Sequence, residues 1–249
     1  MKSIAVLIDF DNFFGNDVEK INSTNLEYSF SEIVNLCESH FKDFDNILIR
    51  LYGGWYRETI FTKQASTIQQ ELRNVAVFPK VMATKKIEGA IEIATTLYEF
   101  NNFIWYHTQK ETEGISRIRI NHETIDDTCN ENREVCPKFI LYNFTKSKTK
   151  KCKVEKCINL QKNVFKGAEQ KMVDTLIACD IISLSEDTEI VGLLLLSDDQ
   201  DHFPSLALAS NRKTKHFQNI ILGLRNETKV DFVSEFLKPF NIKTIHYGK

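Results

Sequence analysis

The sequence has no long apolar run and almost no net charge. No stretch approaches the ~20 consecutive apolar residues that a membrane-spanning helix needs. The opening residues MKSIAVLIDFDN are basic and then apolar, but Asp9 interrupts the apolar run too early for a signal peptide. The formal net charge is −2, so any surface that binds nucleic acid must be a local patch. We therefore expect a cytoplasmic protein that does not contact a membrane.

Disulfide bonds are not expected either. Six cysteines in a chain of this kind are better explained as free thiols or metal ligands. Apolar residues make up 42% of the sequence and charged residues 27%, as in globular proteins. The 249 residues fit one α/β domain with an insertion, or two small domains.

Two apolar stretches each end abruptly in carboxylates. Ile190–Leu196 is typical of a strand buried on both faces, and Ser197, Asp198, Asp199 and Asp201 follow it. Ser3–Ile8 repeats this arrangement and is followed by Asp9, Asp11 and Asn12. Ligands bind at the carboxyl ends of strands in open α/β sheets, so both groups are candidates for one site.

Strands and helices alternate along most of the remaining chain. The other predicted strands are Asn46–Tyr52, Val75–Met82, Asn219–Leu224 and Lys243–His246. The predicted helices are one opened by a capping box at Ser29 and Glu32, then Thr59–Arg73, Lys171–Leu184, Phe203–Ser210 and Lys229–Leu237. This order predicts an α/β fold of three layers, α/β/α, with a central, mainly parallel sheet. The carboxyl ends of its parallel strands should share one edge.

The alternation is less regular from Thr84 to Phe165. We interpret 84–165 as an inserted α+β segment, or subdomain, within a single domain spanning 1–249. Its predicted elements are a helix at Ile87–Phe100, strands at Phe103–His107, Ile115–Ile120 and Lys138–Phe144, and a polar, turn-rich stretch at Asn121–Arg133.

The acidic residues at the predicted edge indicate a metal site. Asp9 and Asp11 would meet Asp199 and Asp201 there, and Asp174 could join them from the preceding helix. Such carboxylates would raise one another's pKa values unless a cation neutralised them. Mg²⁺ or Mn²⁺ could do so, and could also lower the pKa of a water molecule and stabilise charge developing on a phosphate. That chemistry is phosphodiester hydrolysis.

Three sequence segments resemble the signatures of NYN domains, which belong to the PIN-like nucleases. They are IDFDN at 8–12, KMVDTLIACDI at 171–181 and LLSDDQDHFP at 195–204. The sequence departs from the third signature at Asp198, where the family has Gly, and at His202, where it has Phe. The resemblance covers about 170 residues and leaves out the insertion. It implies a PIN-like fold and an RNA-cleaving enzyme dependent on Mg²⁺ or Mn²⁺.

The resemblance also implies roles for individual residues. Asp9, Asp174, Asp199 and Asp201 would form the acidic quartet that holds the metal. Apart from the resemblance, we expect Asn12, Asp11 and Ser197 to orient these ligands. Asp180 is either a supporting residue of the same kind or a structural one.

Basic and aromatic residues provide candidate RNA contacts. Trp55, Tyr56 and Arg57 follow a predicted strand and could stack on unpaired bases, although Trp55 could instead pack beneath the loop. Lys171 could hold a phosphate or pair with a carboxylate. The lysine-rich run in the insertion could contact phosphates, bind a protein partner, or be a solvated loop. Its candidate contact residues are Lys146, Lys148, Lys150 and Lys151.

The insertion also contains four of the six cysteines. Cys129, Cys136, Cys152 and Cys157 could hold a structural Zn²⁺, but their spacing is looser than in common zinc motifs. Free thiols are the alternative.

Two other functions fit the sequence. Asp9 and Asp11 after a strand, with Lys171 and Asp198–Asp199 later, also resemble the haloacid-dehalogenase phosphatases, in which the first Asp is the nucleophile. That family expects a small β-branched residue where Phe13 stands and does not require Asp174. The second of these functions is that of a non-catalytic NYN module that binds RNA or a protein.

Overall fold

The computed structural model describes residues 1–15, 21–81, 85–114, 125 and 127–247. They form two compact units. The first comprises Met1–Thr108 and Gln170–Lys249, and the second comprises Gln109–Glu169. The second unit therefore begins and ends later than the insertion predicted at 84–165. None of the helices in the described part of the chain is long and apolar enough to cross a membrane.

The structure is mixed α/β. Within the described residues, and numbered in chain order, the strands are β1 (Ser3–Asp9), β2 (Asn46–Tyr52), β3 (Tyr56–Arg57), β4 (Ile60–Phe61), β5 (Lys80–Val81), β6 (Lys86–Ile93), β7 (Gln109–Glu113), β8 (Lys166–Gln170), β9 (Ile190–Leu196), β10 (Ile220–Leu224) and β11 (Lys243–His246). The helices are α1 (Phe10–Phe14), α2 (Ser23–His40), α3 (Lys63–Leu72), α4 (Asp127–Glu131), α5 (Pro137–Thr145), α6 (Gln161–Val164), α7 (Val173–Glu186), α8 (Phe203–Arg212) and α9 (Glu227–Leu237).

A seven-stranded, mainly parallel sheet dominates the first unit. Its strand order is β11-β10-β9-β1-β2-β6-β5. All neighbouring strands are parallel except β5 and β6, which are antiparallel. The predicted mainly parallel sheet is thus confirmed.

The central strands β1 and β9 are buried at every position, as their continuous apolar sequences predict. Side chains alternate between the two faces of a strand. Accordingly, Ile4, Val6 and Ile8 belong to one hydrophobic cluster, which includes residues of α2, while Ala5 and Leu7 belong to a second cluster, which includes residues of α7.

The strand order reverses between β1 and β9. From β1 the chain continues to β2 on one side, whereas β9 continues to β10 and β11 on the other. At such a reversal, the loops after the two central strands diverge and leave a crevice outside their carboxyl ends. The topology therefore places Asp9 and the residues after Leu196 beside each other.

Several predicted elements of the first unit differ in the structure. The first long helix begins at Ser23 rather than at the Ser29 capping box, because the Asn22 side chain caps it by accepting a hydrogen bond from the Asn25 N–H at 3.0 Å. The predicted helix Ile87–Phe100 is wrong, since Lys86–Ile93 is strand β6. Its alternating isoleucine and glutamate residues fit the two-residue period of a strand, and it pairs in parallel with β2.

The predicted helix Thr59–Arg73 starts later than expected. A short antiparallel pair, β3 with β4, comes first. Thr62 then caps α3 by accepting a hydrogen bond from the Ala65 N–H at 3.2 Å.

The next two predicted strands, Val75–Met82 and Phe103–His107, are formed over only a few of their described residues. Of Val75–Met82, only Lys80–Val81 is a strand, and Met82 lies outside the described residues. Within Phe103–His107, Ile104 forms a single bridge with Thr96.

The second unit contains strand β7, helices α4 to α6 and most of β8. The predicted strand Lys138–Phe144 is wrong because Pro137–Thr145 is helix α5, which has Pro137 in its first turn, where proline is well tolerated. The predicted strand Ile115–Ile120 lies outside the described residues, as do 121–124 and Asp126 of the predicted polar stretch.

Candidate metal centre

Asp9 is held at the carboxyl end of β1 by residues from two strand ends. It is buried, and it caps α1 by accepting a hydrogen bond from the Asn12 N–H at 3.4 Å. The Asn12 side-chain amide and the Ser197 hydroxyl both donate to Asp9 Oδ2, the latter at 3.1 Å. Ser197 Oγ also accepts the Asp199 N–H at 3.1 Å. One serine thus links the ends of β1 and β9, and both Asn12 and Ser197 hydrogen-bond to Asp9.

The other acidic residues come from the turn after β9 and from α7. Asp199 caps a short 3-10 helix, Gln200–His202, by accepting the Asp201 N–H at 2.9 Å. Asp174 lies in the first turn of α7, where a carboxylate interacts favourably with the helix dipole.

These side chains form two overlapping groups. In one, the oxygens of Asp174, Asp199 and Asp201 lie within 4.8 Å of one another. In the other, Asp9 and Asp174 oxygens and a His202 ring nitrogen meet the same limit. Asp174 belongs to both groups.

The acidic groups affect one another's protonation. Burial raises the pKa of Asp9 above its ordinary value, although hydrogen bonds from Asn12 and Ser197 and the nearby His202 oppose this shift. Burial also raises the pKa of Asp174, with His202 opposing the shift and the carboxylates of Asp199, Asp9 and Asp201 adding to it. A bound cation would offset the cost of burying these charges and would reduce the repulsion between the carboxylates.

The arrangement fits a divalent cation. Mg²⁺ binds oxygen at about 2.1 Å, so its ligand atoms lie at most about 4.2 Å apart. The ligand atoms of each group lie within 4.8 Å of one another, which is close to this spacing. His202 supports the same conclusion, because it is fully buried and neither ring nitrogen has a hydrogen-bond partner within the described part of the chain. The structure therefore brings together the four predicted aspartates in an arrangement that could bind a metal.

Asp11 and Asp198, which are close in sequence to the metal-site aspartates, hydrogen-bond to residues outside the two acidic groups. Asp11 is exposed and accepts hydrogen bonds from the side chains of Gln64, at 3.4 Å, and Gln170. Asp198 accepts the backbone N–H groups of Arg225 and Asn226, at 2.9 and 3.4 Å. Asp198 therefore connects the end of β9 to the end of β10.

Asp180 has the structural role that was one of its two predicted alternatives. It is fully buried and accepts hydrogen bonds from Arg50 Nη1 and the Tyr52 hydroxyl, both at 2.6 Å, and from the Tyr98 N–H at 2.8 Å. Arg50 also pairs with Glu92 at 2.8 Å. Asp180 is thus neutralised by a cation within the protein.

The predicted substrate residues after β2 differ in accessibility. Trp55 is buried, and its indole N–H donates to the Leu51 carbonyl at 3.0 Å. Its ring is therefore not available to stack on a base, and the packing alternative applies. Tyr56 is half-buried against Phe61 and Tyr106, and Arg57 is exposed.

The predicted lysine contacts are all exposed. Lys171 lies in the first unit, just before α7. The others, Lys146, Lys148, Lys150 and Lys151, lie in the second unit.

The predicted zinc site is not formed. The four cysteines of the second unit are free thiols. Among the described residues, which include Cys129, Cys136, Cys152 and Cys157, no three of these sulfurs lie close enough together to share an ion. Cys129 instead hydrogen-bonds to Cys136.

Sequence reasoning assigned no role to His202 or Arg50. The sequence signal for His202 was its position directly after Asp201 and before the apolar Phe203, where a histidine introduces two polar nitrogens. Arg50 gave a weaker signal, as a single charged residue within the apolar strand NILIRLY.

The chain matches no protein-family model, no curated protein and no solved structure.

Proposed function

We propose that the protein is a divalent-metal-dependent ribonuclease with a PIN-like, three-layer α/β/α fold. The observation that supports this most is the convergence of Asp9, Asp174, Asp199 and Asp201 at the reversal of strand order. The resemblance to NYN domains suggests RNA as the substrate.

The four aspartates would hold one or two Mg²⁺ or Mn²⁺ ions. When bound, such an ion lowers the pKa of water and stabilises charge on a phosphodiester. Asn12 and Ser197 fix the orientation of the Asp9 carboxylate through hydrogen bonds. Asp198 fixes the adjacent loop, so that Asp199 and Asp201 are presented from a short, capped helix.

The lysines of the second unit would supply affinity for the RNA backbone without reading its sequence. Replacing Lys148 and Lys150 with Gln should weaken binding of unrelated single-stranded RNAs to a similar extent. Each lost phosphate contact should reduce the slope of log affinity against log salt concentration by about 0.7. Fluorescence anisotropy at several salt concentrations would measure this slope, and an unchanged slope would argue against these contacts.

The decisive experiment is cleavage of end-labelled single-stranded and structured RNAs. Purified protein is tested with Mg²⁺, Mn²⁺ or EDTA, beside Asp199→Asn and the control Asp231→Asn, which changes an exposed aspartate on α9. We expect cleavage only with metal, a loss of at least about 100-fold in Asp199→Asn, since even residues that only support metal ligands have effects of up to about this size, and no loss in the control.

Other outcomes would favour the alternatives. Full activity in EDTA would contradict the proposal. RNA binding without cleavage under any condition would favour a non-catalytic module. Hydrolysis of a small phosphomonoester, inhibited by beryllium fluoride, would favour the phosphatase.

A further inference from the structure

The buried imidazole of His202 has no role in the function proposed above. His202 ends the 3-10 helix that also carries Asp201, and its side chain is fully buried. Neither ring nitrogen has a hydrogen-bond partner within the described residues. Leaving a buried polar group unpaired destabilises the folded protein. A position that required only a packed ring would be filled at lower cost by phenylalanine.

The His202 ring lies where its nitrogen could bind a metal. One ring nitrogen lies within 4.8 Å of a carboxylate oxygen of Asp9 and one of Asp174. A neutral imidazole is a common ligand for transition metals, and hydrogen-bonded carboxylates complete such sites. Asp9 is already oriented by Asn12 and Ser197.

We infer that His202, Asp9 and Asp174 form a mixed nitrogen–oxygen site for a first-row transition-metal ion. The inference rests on the metal site of the proposed function and extends it by identifying a nitrogen ligand and a class of metal. The phenylalanine of the NYN signature could not supply this ligand.

The nitrogen ligand should change metal preference. Imidazole favours transition metals such as Zn²⁺, whereas all-oxygen sites suit Mg²⁺. The second group, with Asp174, Asp199 and Asp201, offers oxygen only and remains suited to a hard cation. The protein should therefore bind Mn²⁺, which accepts both ligand types, more tightly than Mg²⁺, and His202 should account for the difference.

Pulsed electron paramagnetic resonance of bound Mn²⁺ tests this directly. The metal-free full chain is titrated with Mn²⁺, and coupling of the electron spin to ligand ¹⁴N is measured. The variants are His202→Gln, His202→Phe and the control His216→Gln, which changes an exposed histidine before β10. We expect nitrogen coupling in the wild type and the control and none in the His202 variants.

Calorimetry provides a second measurement. The affinity for Mn²⁺ should fall at least about tenfold in His202→Gln, as even the residues that only support metal ligands have effects of this size. The affinity for Mg²⁺ should fall less, so the preference for Mn²⁺ over Mg²⁺ should decrease. Equal Mn²⁺ affinity in His202→Gln and the wild type would overturn the inference.

The wild-type spectrum tests for a nitrogen ligand to Mn²⁺ even if the variants do not fold. Bound Mn²⁺ without nitrogen coupling would overturn the inference, as would failure to bind Mn²⁺. Metal-dependent RNA cleavage without nitrogen coupling would leave the proposed function standing and remove His202 as a ligand. Nitrogen coupling lost in His202→Gln, in a protein that never cleaves RNA, would support the ligand and contradict the nuclease.

Discussion

Two buried aspartates in the first unit, Asp9 and Asp180, have contrasting partners. Asp180 contacts the guanidinium of Arg50 at 2.6 Å, so its compensating charge is part of the chain. Asp9 accepts hydrogen bonds from the neutral groups of Asn12 and Ser197 and lies near a second carboxylate and an imidazole. A buried carboxylate needs a counter-charge in either case. We therefore expect Asp180 to stabilise the fold and Asp9 to contribute to the proposed metal site.

The largest expected effect is on the Asp180 cluster. Asp180→Ala should lower the free energy of unfolding by about 3–5 kcal/mol, because it leaves the buried Arg50 charge without one of its partners. Urea denaturation would measure the loss, with Asp231→Ala as a surface control.

The loss in Asp180→Ala should be the same with EDTA and with Mn²⁺, because this cluster contains its own cation. A loss below about 1 kcal/mol, within the range of an exposed ion pair, or one that depended on metal, would contradict the contrast between the two aspartates.

Metal should stabilise the folded protein through Asp9 and not through Asp180. At a free Mn²⁺ concentration 100 times the dissociation constant, the free energy of unfolding should rise by about 2.7 kcal/mol. Asp9→Asn should lose most of this gain at the same Mn²⁺ concentration. Thermal unfolding with and without Mn²⁺ would measure it, and an equal gain in Asp9→Asn and the wild type would exclude Asp9 as a ligand.

Ser197 should affect both stability and metal binding. Ser197→Ala removes a donor to Asp9 and an acceptor for the Asp199 N–H, which should cost about 1–2 kcal/mol of stability. It should also lower Mn²⁺ affinity by about tenfold.

Ser185→Ala is the matched control for Ser197→Ala, because Ser185 is also buried but its hydroxyl donates to the Ile182 carbonyl within α7. This control should lose stability and keep its metal affinity. Similar metal affinities in the two variants would show that the Ser197 contact does not position the ligands.

Much of the site could be predicted because it follows directly from local sequence. The apolar runs of β1 and β9 end at Asp9 and Ser197, and the rules for parallel sheets bring such ends to one edge. The Asp180 pair could not be predicted, since Arg50 lies 130 residues away along the chain. Local sequence carries no information about which distant residues will be buried together.

The sequence predictions for β6 and α5 gave the wrong type of secondary structure. In β6, isoleucines and glutamates alternate with the two-residue period of a strand, and the prediction of a helix overlooked this signal. In α5, the apolar run FILYNF resembled a strand, although Pro137 before it is typical of a helix start. Short apolar runs do not distinguish helix from strand.

The pH dependence of stability should also distinguish Asp9 from Asp180. Without metal, burial raises the pKa of Asp9 in the folded protein above its unfolded value of about 3.9. Protonated Asp9 therefore contributes its full stabilisation of the folded protein below about pH 3.9. This contribution is lost as pH rises through the pKa of Asp9 in the folded protein. Asp9→Asn cannot ionise, so in EDTA it should gain stability relative to the wild type as pH rises above about 4.

Urea denaturation at a series of pH values would measure this difference. Saturating Mn²⁺ should reverse the trend, because the ion binds the ionised carboxylate and so favours the folded wild type at higher pH. Asp231→Asn, which changes an exposed aspartate on α9 away from the metal groups, is the control. A wild-type to Asp9→Asn difference that stayed constant with pH in EDTA would mean that the fold already compensates the charge of Asp9. The contrast with Asp180 would then disappear, because both carboxylates would be neutralised from within the protein.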